Sequence, residues 1–243
     1  MSRRPHPGIP DPDGILLIDK PSGMTSHDMV DGVRRMFRFG KVGHGGTLDP
    51  MATGLLILLI GKATRLFDTV MGGDKTYEGV FRLGVETDTE DRDGQILSRK
   101  DASGVTAEQL AVSLATRKGD LMQTPPMVSA IKRDGVPLYK LARSGKTVER
   151  EPRLIHVYDF QLLGFTPPDA RFRLTCTKGT YVRTLCADIG RELGCGACLV
   201  ELRRTASGPY RMENAIPLET LRTLSRPELE SRIIPARTVT ESR

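Results

Sequence analysis

The chain is poor in cysteine and histidine, which excludes several kinds of site. Its 243 residues include 4 cysteines and 4 histidines. So few cysteines in a chain of this length do not form a disulfide framework, and in the cytosol their thiols stay reduced. The lone Cys195-Gly-Ala-Cys198 lacks a second pair of ligands at the spacing of a zinc site. The sequence therefore predicts no metal site, and no Ser-His-Asp arrangement is favoured.

The chain also lacks long hydrophobic runs. The longest aliphatic stretch, residues 55–60, is too short to cross a bilayer. Residues 1–13 are basic and rich in proline, without the apolar segment of a signal peptide, and are predicted to form a flexible N-terminal arm. These features predict a cytoplasmic protein with a hydrophobic core of ordinary size.

Positive charge is in excess, and it is unevenly placed. Lysine and arginine number 36 against 30 aspartates and glutamates, a net charge of +6. Any single basic cluster is more often a solvated face than a binding site. The recurrence of such clusters around a glycine-rich loop, with Tyr77 and Tyr181 available to stack on bases, is nevertheless typical of a nucleic-acid surface. The basic residues concerned are Arg34, Arg35, Arg38, Lys41, Arg65, Lys132, Arg133, Lys140, Arg143, Lys146, Arg203 and Arg204.

Strand and helix patterns alternate irregularly along the chain. Residues 14–19 and 55–60 have the apolar runs of buried strands, and residues 76–85 alternate as a half-exposed strand does. Ser26 and Thr180 each precede an amphipathic segment and are predicted to cap a helix. Because no strict βαβ order is present, we expect an α+β fold with a mixed, largely antiparallel central sheet. Residues 123–153 are basic, contain proline and are predicted to be an inserted arm.

One carboxylate lies in a stiff loop, residues 41–54, with the sequence KVGHGGTLDPMATG. Pro50 biases Asp49 away from helical backbone, and the glycines allow backbone angles that other residues avoid. The simplest interpretation is an Asx-type turn without a catalytic role. A functional interpretation makes Asp49 a carboxylate presented to a substrate.

Arg183 provides the second indication of a site. If Thr180 caps the following helix, Arg183 lies in its first turn, where the helix dipole disfavours a cation. A nearby anion, either a phosphate or a carboxylate such as Asp49, would compensate, and a paired guanidinium would keep Asp49 ionised. The alternative is that Arg183 reaches solvent or a surface glutamate.

Two other motifs fail on inspection. Residues 54–64 (GLLILLIGKAT) have six residues between their glycines, where a phosphate-binding Walker loop has four, and Ala63 replaces the required serine or threonine. The acidic run of residues 87–94 would give a calcium-binding EF-hand loop with Thr89 at its first ligand position and Lys100 at its twelfth, where acidic oxygen ligands are needed. A nucleotide phosphotransferase and a calcium site are therefore disfavoured.

Taken together, the segments resemble the TruB family of tRNA pseudouridine-55 synthases. Five motifs occur in the family's order: residues 19–26 (DKPSGMTS), 43–50 (GHGGTLDP) with 52–54 (ATG), 75–78 (KTYE) with 83–89 (LGVETDT), 179–183 (GTYVR), and 202–204 (LRR). Residues 124–132 (TPPMVSAIK) and 138–143 (LYKLAR) are similar to the RNA-gripping arm of the bacterial stand-alone enzymes. The order of so many motifs makes the resemblance specific.

The resemblance implies a pseudouridine synthase fold and an isomerase that acts on uridine 55 in the tRNA T loop, by base flipping and without a cofactor. It implies that Asp49 is the catalytic aspartate, acting as a nucleophile or as a base, that Tyr77 stacks on the target base, and that Arg183 pairs with Asp49. The substrate-binding residues that it implies are His44, Leu202, Tyr181, Lys20, Arg65 and Lys132.

The resemblance also gives an expected domain organisation. Residues 14–237 would form the catalytic domain, with the insertion at about 123–153, and residues 238–243 a tail in place of the C-terminal PUA domain that the family usually carries. The expected partner is tRNA, with no guide RNA, protein partner or membrane, and the expected state is a monomer. A non-catalytic RNA-binding or tRNA-folding protein, and a guide-dependent rRNA modifier, are the alternatives.

Overall fold

The structure is a computed structural model that describes residues 10–129, 131–133, 135–144, 146 and 148–241. Its strands are β1 (Gly14–Lys20), β2 (Val42–His44), β3 (Thr53–Ile60), β4 (Lys75–Leu83), β5 (Val85–Thr87), β6 (Ile96–Arg99), β7 (Gly119–Gln123), β8 (Lys132–Arg133), β9 (Val136–Pro137), β10 (Arg153–Thr166), β11 (Asp169–Cys176), β12 (Ala197–Ser207), β13 (Tyr210–Arg211), β14 (Ile216–Pro217) and β15 (Ile234–Pro235). Its α-helices are α1 (Ser26–Phe37), α2 (Phe67–Met71), α3 (Ala107–Ala115), α4 (Leu138–Arg143), α5 (Val182–Glu192), α6 (Leu218–Thr223), α7 (Arg226–Glu230) and α8 (Ala236–Glu241). Short 3₁₀ helices cover Gly61–Leu66 and Met212–Asn214.

The chain divides into two compact units. Among the described residues, unit 1 takes residues 10–75 and 203–241, and unit 2 takes residues between 76 and 202. Strand β12 contributes its first residues to unit 2 and its last residues to unit 1. The domain boundaries expected from the sequence stay a prediction.

Unit 1 is built around the paired strands β1 and β3, which α1 and β2 separate in the chain. These strands are antiparallel, with Gly14 opposite Ile60 and Lys20 opposite Gly54. Strand β3 also pairs in parallel with the end of β12 and antiparallel with β2, while β1 pairs in parallel with β14 and antiparallel with β15. One face of β1 and β3 packs into a buried cluster formed by Ile15, Leu17, Leu55, Ile57, Leu59 and Val70. The two predicted buried strands are therefore confirmed.

Unit 2 contains a sheet with the strand order β12–β4–β11–β10–β7. Strands β10 and β11 form a long antiparallel pair, and β7 pairs antiparallel with β10. Phe172 on β11 contacts Phe81 and Phe160, with ring centroids 5.9 and 5.5 Å apart. Helix α5 supplies a buried face that includes Leu185 and Ile189. The α+β class and the mixed, largely antiparallel strand pairing are confirmed.

The predicted inserted arm begins at the end of β7, ends at the start of β10 and belongs to unit 2. It contains the antiparallel strands β8 and β9, followed by α4. Residues 130, 134, 145 and 147 of the arm lie outside the described residues, as do residues 1–9 of the predicted N-terminal arm. Of the part of the chain that the structure describes, no helix is both long and apolar enough to span a membrane.

Both predicted helix caps are wrong by one residue. Helix α1 is capped by Thr25, whose hydroxyl accepts the Asp28 N–H at 3.0 Å, while the Asp28 carboxylate accepts the Thr25 N–H at 2.8 Å. Helix α5 has Tyr181 at its N-cap, and the Thr180 hydroxyl instead donates to Thr177. In each case the sequence offers adjacent residues, and tertiary contacts decide which of them takes the cap.

The capping box of α1 gives a stability prediction. We expect Thr25→Ala to lower the free energy of unfolding by about 1 kcal/mol, because the Asp28 N–H loses its acceptor. Thr25→Ser keeps the hydroxyl and should stay within a few tenths of a kcal/mol of the wild type. Urea denaturation measures both variants. Equal stability of Thr25→Ala and the wild type would contradict the cap assignment.

Candidate functional site

Asp49 lies in a half-buried loop of unit 1 between β2 and β3. The loop turns tightly after Asp49, because the Ala52 N–H donates to the Asp49 carbonyl at 3.0 Å. Gly54 closes the loop with φ at +97°, and a Cβ there would lie 2.4 Å from the Arg204 carbonyl oxygen. Only glycine fits this position without displacing the backbone of β12. The prediction that backbone geometry constrains Asp49 is therefore confirmed.

Residues 20–26 hold this loop from one side through hydrogen bonds. The Ser26 hydroxyl accepts the Leu48 N–H at 2.9 Å and lies 3.2 Å from the Leu48 carbonyl. The Gly23 N–H donates to the Pro50 carbonyl at 2.8 Å, and the Ser22 hydroxyl donates to the Met51 carbonyl at 3.1 Å. The backbone on both sides of Asp49 is thus fixed by a segment that the sequence analysis treated as a family motif without a physical role.

Lys20 completes this attachment from a fully buried position. Its side chain is 0% exposed, and its ammonium donates to the carbonyls of Pro21 (2.8 Å), Met24 (2.6 Å) and Pro50 (3.2 Å). Burial lowers the pKa of Lys20 to about 8, and the negative charge of Asp49 partly opposes that shift. The structure does not place Lys20 on the surface, so the expectation that it contacts RNA directly is corrected to an internal role beside Asp49.

Arg204 is the second buried cation of unit 1. It is 1% exposed, and its guanidinium donates to the carbonyls of Leu55 (2.7 Å) and Gly46 (3.2 Å). The neighbouring Arg203 forms an ion pair with Asp19, with Nη2 and Oδ2 2.8 Å apart. From their place in a basic cluster, both arginines are predicted to belong to an RNA-binding surface. That assignment is wrong for Arg204, because its charged group is engaged inside the protein.

His44 and Arg65 have different surroundings. His44 ends β2 opposite Leu58, and its buried Nδ1 has no hydrogen-bond partner among the described residues. Burial lowers the pKa of the His44 imidazole, and the charge of Arg204 lowers it further, which favours the neutral ring. Arg65 lies in the 3₁₀ helix Gly61–Leu66 and is exposed. Arg65 can therefore contact a polyanion directly.

In unit 2, Tyr77 and Leu202 are nearly buried. Tyr77 is 8% exposed and lies on the same face of β4 as Phe81 and Leu83. Leu202, on β12, is 7% exposed. The structure describes the backbone of Lys132 in β8, opposite Pro137, and its side chain lies outside the described residues.

Arg183 occupies the first turn of α5, as predicted. It is 2% exposed, and its guanidinium donates to the carbonyls of Thr89 (2.7 Å) and Val128 (2.9 Å). The Asp91 carboxylate lies 3.7 Å from Arg183 Nε and is itself 6% exposed. A cation in the first turn of a helix is predicted to have an anion nearby, and within unit 2 Asp91 is such an anion. Asp91 belongs to the acidic run of residues 87–94, and that run is the sequence feature that could have indicated a partner for Arg183.

Asp91 is held in place by its own loop. Its carboxylate accepts the Thr89 hydroxyl at 2.6 Å and the Asp93 N–H at 3.1 Å, and its carbonyl accepts the Thr87 hydroxyl at 2.6 Å. Two of these donors fix the carboxylate and the third fixes the backbone of Asp91, so the position of the carboxylate beside Arg183 is set by the loop. In the residues that the structure describes, no group of three or more histidine, cysteine, aspartate or glutamate side chains is arranged to hold a metal ion.

Comparison with protein families gives two adjoining matches. A model described as "TruB family pseudouridylate synthase (N terminal domain)" matches residues 34–182. A model described as "tRNA pseudouridylate synthase B C-terminal domain" matches residues 183–239. The first match includes Asp49, Tyr77 and Tyr181, and the second begins at Arg183.

Individual relatives agree with these matches. The tRNA pseudouridine synthase B of Opitutus terrae is 52% identical over 223 residues, covering 92% of this chain and 92% of the relative. That of Syntrophotalea carbinolica is 49% identical over 219 residues, covering 89% of this chain and 72% of the relative.

Solved structures show the same architecture. A chain of a Cbf5–Nop10–Gar1 complex matches with a TM-score of 0.73 at 28% identity, over 98% of this chain and 68% of that chain. A chain of an archaeal box H/ACA sRNP Nop10–Cbf5 complex matches with a TM-score of 0.69 at 26% identity, over 94% of this chain and 61% of that chain. The expected pseudouridine synthase fold is therefore confirmed.

The buried Lys20 gives a prediction that depends on pH. Its pKa is about 8 in the folded chain, against about 10.4 in an unfolded one. Between these values the unfolded chain binds more protons, so the contribution of Lys20 to the free energy of unfolding rises with pH. Relative to Lys20→Met, the wild type should therefore gain stability from pH 8 to pH 10.

Chemical denaturation at several pH values measures this difference. Lys62→Met is the matched control, because the Lys62 side chain is 79% exposed and its difference from the wild type should stay nearly constant. Parallel pH profiles of the wild type and Lys20→Met would show that the Lys20 ammonium is not buried as the structure places it.

Proposed function

The chain belongs to the TruB family of pseudouridylate synthases, and from that premise we propose that it converts uridine 55 in the T loop of tRNA to pseudouridine. The enzyme would act as a single chain on tRNA, without guide RNA, protein partner or cofactor. The catalytic residues in this proposal are Asp49, Tyr77 and Arg183.

The observation that carries the proposal is the rigid support of the Asp49 loop. Hydrogen bonds from Lys20, Ser22, Gly23 and Ser26 reach the carbonyl or amide groups of residues 48, 50 and 51. An ordinary Asx turn has no need of a buried ammonium beside the loop. A loop that must present one carboxylate in one orientation does need such support, because small displacements of a reacting group reduce its rate steeply.

The reaction is an isomerisation in which atoms and electrons balance within the substrate. The N1–C1′ bond breaks, the uracil turns while it stays bound, and a C5–C1′ bond forms. C5 then loses its proton and N1 gains one, so no external oxidant, reductant or cofactor is consumed. Asp49 either attacks the nucleotide as a nucleophile or removes a proton from its sugar, and both roles require the ionised carboxylate.

Base flipping assigns roles to the remaining residues. Chemistry at C1′ and C5 requires the uridine to leave the stacked loop, which costs a few kcal/mol. Stacking of the flipped base on Tyr77 and apolar contact with Leu202 would offset part of that cost. The neutral imidazole of His44, with its unpartnered Nδ1, is suited to hydrogen bonding with the flipped nucleotide. For Arg183 we propose the role that the resemblance implies, which is to pair with the Asp49 carboxylate.

The RNA surface in this proposal rests on exposed cations of unit 1. The set consists of Arg34, Arg35, Arg38, Lys41 and Arg65, all of which are exposed. They would contact phosphates and release counterions, so the affinity for tRNA should fall as salt rises. Tyr181 and Lys132 of unit 2 are proposed as further contacts to the RNA.

A turnover assay tests the stand-alone activity. Purified protein should form pseudouridine at position 55 of an unmodified tRNA transcript without guide RNA or added metal. Pseudouridine is mapped by chemical labelling and primer extension. Failure of the wild type to form product, with tRNA binding intact, would favour the non-catalytic RNA-binding alternative. Product formation only with a guide RNA would favour a guide-dependent modifier.

Asp49→Asn should abolish turnover while leaving tRNA binding nearly unchanged. The amide keeps the size of the side chain but can act neither as nucleophile nor as base, so we expect a loss of at least about 100-fold. Binding is measured by filter retention at several salt concentrations. Asp68→Asn, at an exposed position in α2, is the matched control and should keep wild-type turnover. Normal turnover of Asp49→Asn would show that Asp49 is not catalytic and that its loop has only a structural role.

A further inference from the structure

Gln123 binds the backbone of Tyr181 through both ends of its side-chain amide. Its Oε1 accepts the Tyr181 N–H at 2.8 Å, and its Nε2 donates to the Tyr181 carbonyl at 3.0 Å. Gln123 is the last residue of β7 and is 5% exposed, so water competes little for these bonds. In the sequence, Gln123 stands out only as the first residue of the predicted inserted arm.

This paired contact fixes the start of α5. Tyr181 is the N-cap residue, and no side-chain hydrogen bond of its own caps the helix. Its carbonyl also accepts the Leu185 N–H at 3.3 Å, in the first turn of the helix. Gln123 therefore supplies, from a distant strand, an anchor for the helix start that the local sequence does not provide.

A second contact from the same segment reaches the helix two residues later. The Val128 carbonyl accepts a hydrogen bond from Arg183 Nη2 at 2.9 Å. Gln123 and Val128 both belong to the first part of the arm, and they hold two of the residues proposed to act on the substrate. The arm, Tyr181 and Arg183 therefore form one connected set of contacts within unit 2.

We propose that Gln123 is a positioning residue for the reaction, which acts through Tyr181 to orient Arg183 and couples the arm to the start of α5. The inference rests on the proposed function, because it deepens the role of the same site. RNA that engages the arm would act on residues 123–128 and, through these contacts, on the orientation of the Arg183 guanidinium. Gln123 itself need not touch the RNA.

The test compares three variants of the full chain. Gln123→Met has nearly the same length and loses both hydrogen bonds, whereas Gln123→Glu keeps an acceptor for the Tyr181 N–H and loses the donor. Met122→Ala is the matched control, because Met122 is on the same strand and is 66% exposed. Turnover of the tRNA transcript gives kcat and KM, and hydrogen exchange followed by mass spectrometry reports on residues 181–185.

We expect Gln123→Met to lower kcat by about 10- to 100-fold, the range that a displacement of about 1 Å can produce. KM should change less than about threefold, since the variant leaves the RNA-binding cations in place. Gln123→Glu should fall between Gln123→Met and the wild type, and Met122→Ala should match the wild type. Exchange at residues 181–185 should become faster in Gln123→Met than in Met122→Ala.

Other outcomes would overturn the proposal. Wild-type kcat in Gln123→Met would show that the contact has no role in the chemical step. A raised KM with unchanged kcat would show that the contact acts only on RNA binding, through Gln123 itself or through Tyr181. Equal kcat in Gln123→Met and Gln123→Glu, with unchanged exchange at residues 181–185, would show that the contact does not position the start of α5 for the reaction. If Gln123→Met does not fold, Gln123→Glu alone tests the proposal, and wild-type kcat in that variant would reject it.

The proposed function can fail separately. Absence of turnover in the wild type would reject that function, while the exchange comparison of Gln123→Met with Met122→Ala would still show whether Gln123 holds the start of α5. Faster exchange without any wild-type turnover would thus support the structural role of Gln123 at the start of α5 and reject its role in the reaction.

Discussion

The attachment of buried cations to backbone carbonyls is the interaction on which the candidate site depends. In unit 1, Lys20 and Arg204 are almost completely buried, and their donors reach carbonyls on both sides of the Asp49 loop. Burying a charge is costly unless its donors are satisfied. The two charged groups therefore stay hydrogen-bonded to these carbonyls, and the bonds hold the backbone of the loop in place.

Unit 2 uses the same kind of interaction at the start of α5. Arg183 is buried against the carbonyls of Thr89 and Val128 and lies near the Asp91 carboxylate, so its direction is determined by groups from two separate loops. Gln123 makes a similar contact without a charge, because its side-chain amide bonds both the N–H and the carbonyl of Tyr181. In both units, polar side chains far apart in sequence hold a short functional segment that has little regular secondary structure of its own.

Patterns that depend on near neighbours were readable from the sequence. Apolar runs and alternation predicted β1, β3 and β4, because a strand buries every second residue or, at the centre of a sheet, nearly every residue. The constrained Asp49 loop followed from its glycines and Pro50, and the position of Arg183 in a first helical turn followed from the pattern of α5. Ordered motifs also identified the family, which the comparisons confirm.

The sequence by itself determined the class of fold, the family, the stiffness of the Asp49 loop and the excess of positive charge. Only the tertiary structure decided which cations are buried and which are exposed, because a lysine or arginine has the same local pattern in both places. Lys20 and Arg204 therefore moved from an expected RNA surface to the interior, whereas Arg65 stayed exposed. The roles of Asp91 and Gln123 could be assigned only from the tertiary structure. Their contacts with Arg183 and Tyr181 join residues far apart in the sequence and leave no periodic pattern.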